Sequence, residues 1–330
     1  MERVCYTARN TFIEYQSASC LIEQKNQKQL SQYSHRELWY PKDKKEEKSP
    51  LVILLHGSSH PHSKSMFERR DFWLEQGYAV MLLNSFNNHR VMDYCFGTIL
   101  FCTAYQNDSL DLMDLQSPTE LKLLSVDAFK QIHNEVLGAI ASAHYLLPAT
   151  RAADLYIALD HASKLDRIDP ENIHLIGYSH GGSAILDALA LAQLGEIPPP
   201  MTQTSKTPLS GVRSASVYYP NCTPGTYIYQ YQSTPKNIPV FMALARDDEF
   251  ANPRYCERAA NAINFYSITD TSPISSSPLV TQKYYPGEHA FDMQEYLDAY
   301  NSSVADQVKK DTLNFVSYYT ATSTQSKNDD

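Results

Sequence analysis

The chain has 330 residues, 43% of them hydrophobic and 20% charged, so a sizeable core is available and wholesale disorder is excluded. Lys and Arg number 28 against 37 Asp and Glu, a net charge of −9. That balance argues against a nucleic-acid partner or an anionic membrane surface, since both need a basic face.

No apolar run approaches the ~20 residues of a membrane span. The stretch Cys95 to Tyr105 is too short and is broken by Gly97 and Thr98. The start, Met1-Glu2-Arg3-Val4-Cys5, has no apolar segment of the secretory kind, so a cytoplasmic location is expected unless a leader has been removed. Six cysteines include no C-x-x-C pair, which argues against a zinc ribbon or a thioredoxin-type motif. Cys95 and Cys102 are expected either to pair in an exported protein or to stay as buried thiols in a cytosolic one. The oligomeric state is not legible from the sequence.

The first fifty residues read as short strands and turns that end in the mixed-charge loop Pro41 to Lys48. Leu51-Val52-Ile53-Leu54-Leu55 is a continuous apolar run, the pattern of a strand buried on both faces. It stops at His56-Gly57-Ser58-Ser59. A helix is expected next, with Ser65 and Glu68 in capping-box spacing, Met66, Phe67, Arg70, Trp73 and Leu74 at helical intervals, and Gly77 at its end. Ala79 to Leu83 is a second buried strand. Residues 86–148 then interrupt the pattern for longer than an ordinary connection, and this insertion is expected to carry helices and to cover something.

Arg151 to Leu165 has one apolar helical face. Asp169 to Asn172 reads as a turn and Ile173 to Ile176 as a strand. Ser183 to Leu194 is almost uniformly apolar, hence a buried helix. A polar insertion spans residues 196–212. Strands are expected at Ala215 to Tyr219, Val240 to Leu244 and Leu279 to Tyr285, with helices at Cys256 to Ile263 and Val304 to Tyr319. The tail, residues 320–330, is polar and expected to fray. Strands alternating with helices point to a single α/β domain around a mostly parallel sheet.

Gly177-Tyr178-Ser179-His180-Gly181 is G-x-S-x-G between an apolar strand and a buried helix. A sharp strand-to-helix turn holds such a serine in a strained conformation above the sheet, and the flanking glycines relieve the crowding. The helix N-terminus adds N–H donors where an oxyanion would form. A serine needs a base and an orienting carboxylate. His289, in the loop after the last strand, is the expected base. Asp248 is the expected acid, with Asp247 beside it as the alternative. The strand before theirs ends in Tyr219-Pro220-Asn221 and offers no carboxylate. The oxyanion donors are expected to be the backbone N–H groups of His180 and Ser58, or Ser59 if the loop shifts by one. Tyr178, next to the serine, is expected to line the pocket. His60 and His62 lack a third ligand at a recognisable spacing, so no metal site is expected, and this chemistry requires no cofactor.

These residues resemble the dienelactone hydrolase family of α/β-hydrolases, over roughly residues 35–320. Leu54-Leu55-His56-Gly57 is similar to its oxyanion strand. Asn84-Ser85-Phe86 with Arg90 and Cys95 is similar to its D-S-F-x-x-R-G…C segment. Tyr219-Pro220-Asn221-Cys222 resembles its Y-P-x-C, and Tyr285-Pro286-Gly287 with His289-Ala290-Phe291-Asp292 its histidine loop. Ala245 to Pro253 matches the acid motif G-x-x-D-D-W-T-P loosely. The resemblance implies an α/β-hydrolase fold and hydrolysis of a small-molecule carboxylic ester or lactone, with Arg90 among the substrate contacts. Ser179 stands where the type enzymes carry cysteine, which favours ordinary esters over dienelactone. The insertion 86–148 is expected to act as a lid that brings Phe96, Phe101 or Tyr105 to the substrate. The rival expectations are a peptidase resembling the prolyl oligopeptidases and a non-catalytic α/β-hydrolase used for binding.

Overall fold

The computed structural model describes residues 7–9, 14–16, 38–42, 47–58, 63–85, 148–198, 207–269 and 278–325. Ser59, His60, His62, Arg90, Cys95, Phe96, Phe101, Cys102, Tyr105 and nearly all of the expected lid lie outside these residues, as does the middle of the polar insertion. Strands β1 (Thr7–Arg9) and β2 (Glu14–Gln16) form a small antiparallel pair.

Among the described residues the main sheet has seven strands. In chain order they are β3 (Leu38–Trp39), β4 (Ser49–Leu55), β5 (Ala79–Leu83), β6 (Ile168–Tyr178), β7 (Val212–Tyr218), β8 (Val240–Ala245) and β9 (Val280–Tyr285). Their spatial order is β3-β5-β4-β6-β7-β8-β9. Only β3 runs antiparallel to its neighbour within this sheet. The continuous apolar runs seen in the sequence are what such a sheet requires, because helices cover both faces. Leu51 to Leu55 are all fully buried, each side chain worth roughly 1.5–3 kcal/mol relative to exposure.

Six helices are described: α1 (Lys64–Glu75), α2 (Pro148–Ala162), α3 (His180–Leu194), α4 (Tyr227–Tyr231), α5 (Pro253–Thr269) and α6 (Ser302–Gln325). Helices α2, α3 and α5 pack with Ile53, Leu175, Val217 and Met242 on one face of the sheet. Helices α1 and α6 pack with Val52, Leu54, Ile176 and Phe241 on the other. The chain winds outward from β4 in one direction to β5, then from β6 in the other direction to β9. The order reverses between β4 and β6, and open α/β sheets bind ligands at the carboxyl ends of strands flanking such a reversal.

Several elements differ from the sequence expectation. The cap of α1 is Ser63, whose hydroxyl accepts from the Met66 N–H, and not Ser65. Ser65 is one residue inside the helix and its N–H and hydroxyl both donate to Glu295. The buried arginine of α1 is Arg69, one residue before the expected Arg70. Strand β6 starts at Ile168, so Asp169 to Asn172 lie within it; Asp169 still accepts locally from the Glu171 N–H, and the register shifts beside Ile173. Helix α6 continues through Thr320 to Gln325 where a frayed tail was expected. The Thr320 hydroxyl holds it down, lying 2.9 Å from both Tyr78 Oη and His174 Nε2.

Candidate active site

Strand β6 delivers Ser179 to the crevice opposite the end of β4. Ser179 has φ 51° and ψ −120°, a positive φ that a non-glycine residue holds at a cost of about 1–3 kcal/mol. Its N–H donates to the Tyr218 carbonyl at 2.8 Å. The glycines on either side are forced by close approach. A Cβ on Gly177 would stand 2.5 Å from the Gly181 carbonyl oxygen, and a Cβ on Gly181 would stand 2.3 Å from that of Leu55. Helix α3 therefore starts almost in contact with the backbone of β4. A Cβ on Gly57 would lie 3.3 Å from Ser179 Cβ, so the loop leaving β4 runs beside the serine and carries Ser58 with it.

Ser179 Oγ is 2.8 Å from His289 Nε2, and His289 Nδ1 is 2.8 Å from Asp248 Oδ2. The Asp248 side chain is almost fully buried, while that of His289 keeps some exposure. The other oxygen of Asp248 accepts from the N–H groups of Phe250 and Ala251, at 2.9 and 2.6 Å. The carboxylate is thereby fixed with Oδ2 facing the imidazole. Asp247 does not face it: its N–H donates to the Gly287 carbonyl, and its exposed side chain lies 3.4 Å from the Gly287 N–H.

A strand-to-helix turn that carries a positive-φ serine at the sheet reversal, hydrogen-bonded to a histidine on the loop after β9, decides the fold. The fold is that of the α/β-hydrolases. Solved structures agree. The chain is similar to a candidate dienelactone hydrolase from Klebsiella pneumoniae subsp. pneumoniae, with a TM-score of 0.51, 15% identity, and 83% of this chain and 89% of that one covered. It is also similar to P91, a dienelactone hydrolase-like promiscuous phosphotriesterase from metagenomic libraries, with a TM-score of 0.50, 10% identity, and 84% and 89% covered. No family model matches the sequence, and no curated sequence does.

Within this α/β-hydrolase fold a buried polar cluster lies behind His289. Arg69 donates to Asp292 Oδ2 at 2.6 Å and lies 3.3 Å from Tyr219 Oη, which donates to Asp292 Oδ1 at 2.6 Å. Burial works against the Arg69 charge, but the Asp292 carboxylate outweighs it, and the guanidinium is held more firmly protonated than usual. Tyr219 itself has φ 36°, and its ring meets that of His289 with centroids 4.8 Å apart. Ala290, next to the histidine, also has a positive φ, 62°. Tyr178, expected to line the pocket, is buried instead, with the Arg69 guanidinium 3.5 Å above its ring. Side chains alternate along a strand, and Tyr178 falls with Ile176 on the face beneath α1 and α6.

Four further features were missed in the sequence. Arg151 is fully buried and reaches Ser85, His56 and His180. Arg69 is buried as described. Phe250, two residues beyond Asp248, is 67% exposed and lies 5.2 Å from the His289 ring, centroid to centroid. Cys222 and Cys256 form a disulfide that ties the loop after β7 to α5. The loose acid motif held a signal for Phe250, which stands where the pattern has tryptophan. An arginine between Met66 and Trp73 on an apolar helical face was a signal for Arg69. Among the described residues no group of His, Cys, Asp and Glu is arranged to hold a metal ion, and no helix is long and apolar enough to cross a membrane.

Proposed function

We propose that the protein is a serine hydrolase that cleaves a small-molecule carboxylic ester or lactone through an acyl-enzyme. The observation that carries this reading is the hydrogen-bonded row Ser179–His289–Asp248 at the reversal point between β4 and β6. Ser179 Oγ attacks the acyl carbonyl while His289 Nε2 takes its proton. Asp248 keeps the other imidazole proton on Nδ1 and stabilises the imidazolium by charge. His289 then returns the proton to the departing alkoxide, and a water repeats both steps to free the acid. The first-turn N–H groups of a helix have no intrahelical acceptor, so the His180 amide at the start of α3 serves as one oxyanion donor and Ser58 as the other. The hydrolytic names of the two solved neighbours are in keeping with this reading.

A fluorophosphonate probe should label native protein on Ser179, and an ester panel of graded acyl length should find substrates. Ser179→Ala should abolish labelling and lower turnover by as much as about 10⁶-fold with the fold intact. Near-native ester hydrolysis by that variant would falsify the assignment.

A further inference from the structure

Arg151 is an expensive residue to place where it is. It projects from α2, is fully buried, and lies where three backbone segments converge. Its Nε donates to Ser85 Oγ at 3.1 Å, just past the end of β5. Its Nη2 donates to the His56 carbonyl at 2.7 Å, at the end of β4. Its Nη1 donates to His180 Nδ1 at 2.9 Å, at the start of α3. Removing a guanidinium from water costs several kcal/mol, and neutral side chains of similar size would fill the space without that cost. The three acceptors explain the choice, because a planar fork meets all three at once. Two of the three belong to segments that carry the oxyanion donors assigned under the serine hydrolase reading.

We propose that Arg151 is the positioning residue of the oxyanion site. Its bond to the His56 carbonyl fixes the His56–Gly57 peptide, and with it the aim of the Ser58 N–H that follows. Its bond to the imidazole of His180 fixes the residue whose own N–H is the second donor. A donor at Nδ1 requires that nitrogen to be unprotonated, so His180 is held neutral with its proton on Nε2. The guanidinium also places a fixed positive charge behind the site where the carbonyl oxygen becomes negative, in surroundings from which water is excluded. Burial draws the Arg151 pKa down to about 10, with Asp154 acting the other way, so the group stays charged at neutral pH. Arg151 touches neither the substrate nor the reacting atoms in this scheme; it acts through two backbone amides.

This inference rests on the serine hydrolase reading, and the test separates the two. Arg151→Lys keeps a charge, but its donors radiate from one nitrogen and cannot span the three acceptors that Nε, Nη1 and Nη2 meet separately. His180→Ala removes one acceptor and leaves the core untouched, so it decides the matter if the first variant does not fold. Each is assayed with an activated ester, with active sites counted by burst titration so that misfolded molecules drop out. The affinity for a trifluoromethyl ketone, whose tetrahedral adduct needs the oxyanion site, is measured in parallel. Arg151→Lys should lower kcat per titrated site on the order of 10–100-fold, somewhat less than loss of a direct donor, with KM within about threefold. The ketone inhibition constant should rise by the same factor as kcat/KM falls. His180→Ala should fall in the same direction by a smaller factor, and the double variant should be no worse than Arg151→Lys alone, since both break one bridge. Unchanged kcat per titrated site in both variants overturns the proposal, as does a loss borne by KM alone. Hydrolysis that survives Ser179→Ala overturns the underlying reading as well.

Discussion

His174 makes an acid-sensitive contribution to the stability of the fold, and that contribution can be measured. It points from β6 into the seam under α6, fully buried. Nδ1 is 2.8 Å from Ser214 Oγ, and Nε2 is 3.1 Å from Asn172 Oδ1 and 2.9 Å from Thr320 Oγ1. The neutral ring suits this setting: Ser214 donates to Nδ1, and Nε2–H is shared by the other two oxygens. Burial, aided by the nearby Arg213 charge, pushes the pKa down to about 3. An unfolded histidine titrates near 6.5, at about the model-peptide value. Between those values the unfolded chain binds more protons, so stability is complete above the unfolded pKa and is lost as pH falls toward the folded one. Integrated over that window, the loss has reached about 2 kcal/mol by about pH 5. Asp187 runs the opposite way. Burial raises its pKa to about 7, against the pull of the Ile228 and Tyr227 N–H groups, so its contribution is complete at low pH and fades as pH rises through that value. The two slopes oppose each other and roughly cancel in the native protein over this range, and His174→Gln separates them. Between urea unfolding at about pH 7.5 and at about pH 5, the stability of the native protein should fall by roughly 2 kcal/mol relative to that of the variant. Equal changes in the two proteins would refute the view that the fold holds His174 neutral.

Asp248→Asn should lower kcat by about 10³–10⁴-fold, because the amide oxygen must stay on the Phe250 and Ala251 N–H groups and its NH₂ then faces Nδ1, forcing the wrong tautomer. Asp247→Asn should be mild, and the reverse ranking in a steady-state assay would place the acid on the wrong aspartate. Removing the Cys222–Cys256 bridge by double serine substitution opens a loop of 34 residues' separation and should cost about 4 kcal/mol in denaturant unfolding, with a change under about 1 kcal/mol counting against the loop-closure account. Phe250 lies beside His289, the base under the proposed reading, so Phe250→Ala should lower kcat/KM for esters of bulky alcohols and spare methyl esters; a uniform change across alcohols would show that it makes no such contact.

Most of the framework was legible because burial on two faces leaves uninterrupted apolar runs, as at Leu51 to Leu55 and Ala79 to Leu83. The serine turn was legible for a steric reason, since Gly177 and Gly181 leave no room for a Cβ. Ser179, Asp248 and His289 were also readable in their order along the chain, and the structure brings their side chains together. What escaped was whatever depends on partners distant in sequence. Arg69 and Arg151 look like ordinary helix residues until Asp292, 223 positions away from Arg69, and His56, 95 positions from Arg151, come into contact with them. Tyr178 lies buried with Ile176, because adjacency to the serine along the chain says nothing about which face of the sheet a side chain occupies. The Ser63 cap was missed by two residues because Ser65 offered the same capping chemistry, and only its bond to Glu295 separates the two.

Under the serine hydrolase reading, the strand order also sets when activity can emerge during folding. His289 is carried by the loop after β9, the last strand and an edge of the sheet, while its partner serine leaves β6, with β7 and β8 between them. His289 thus reaches Ser179 across 110 residues of chain, and only after β9 has docked in parallel on β8. Parallel pairings over such separations close slowly, because the loop entropy is spent before contacts repay it. A nascent chain emerging amino-terminal end first could assemble β4, β6 and the serine turn while remaining inert. Recovered hydrolysis during refolding should therefore lag behind recovered helix signal, with the final lag set by the arrival of β9.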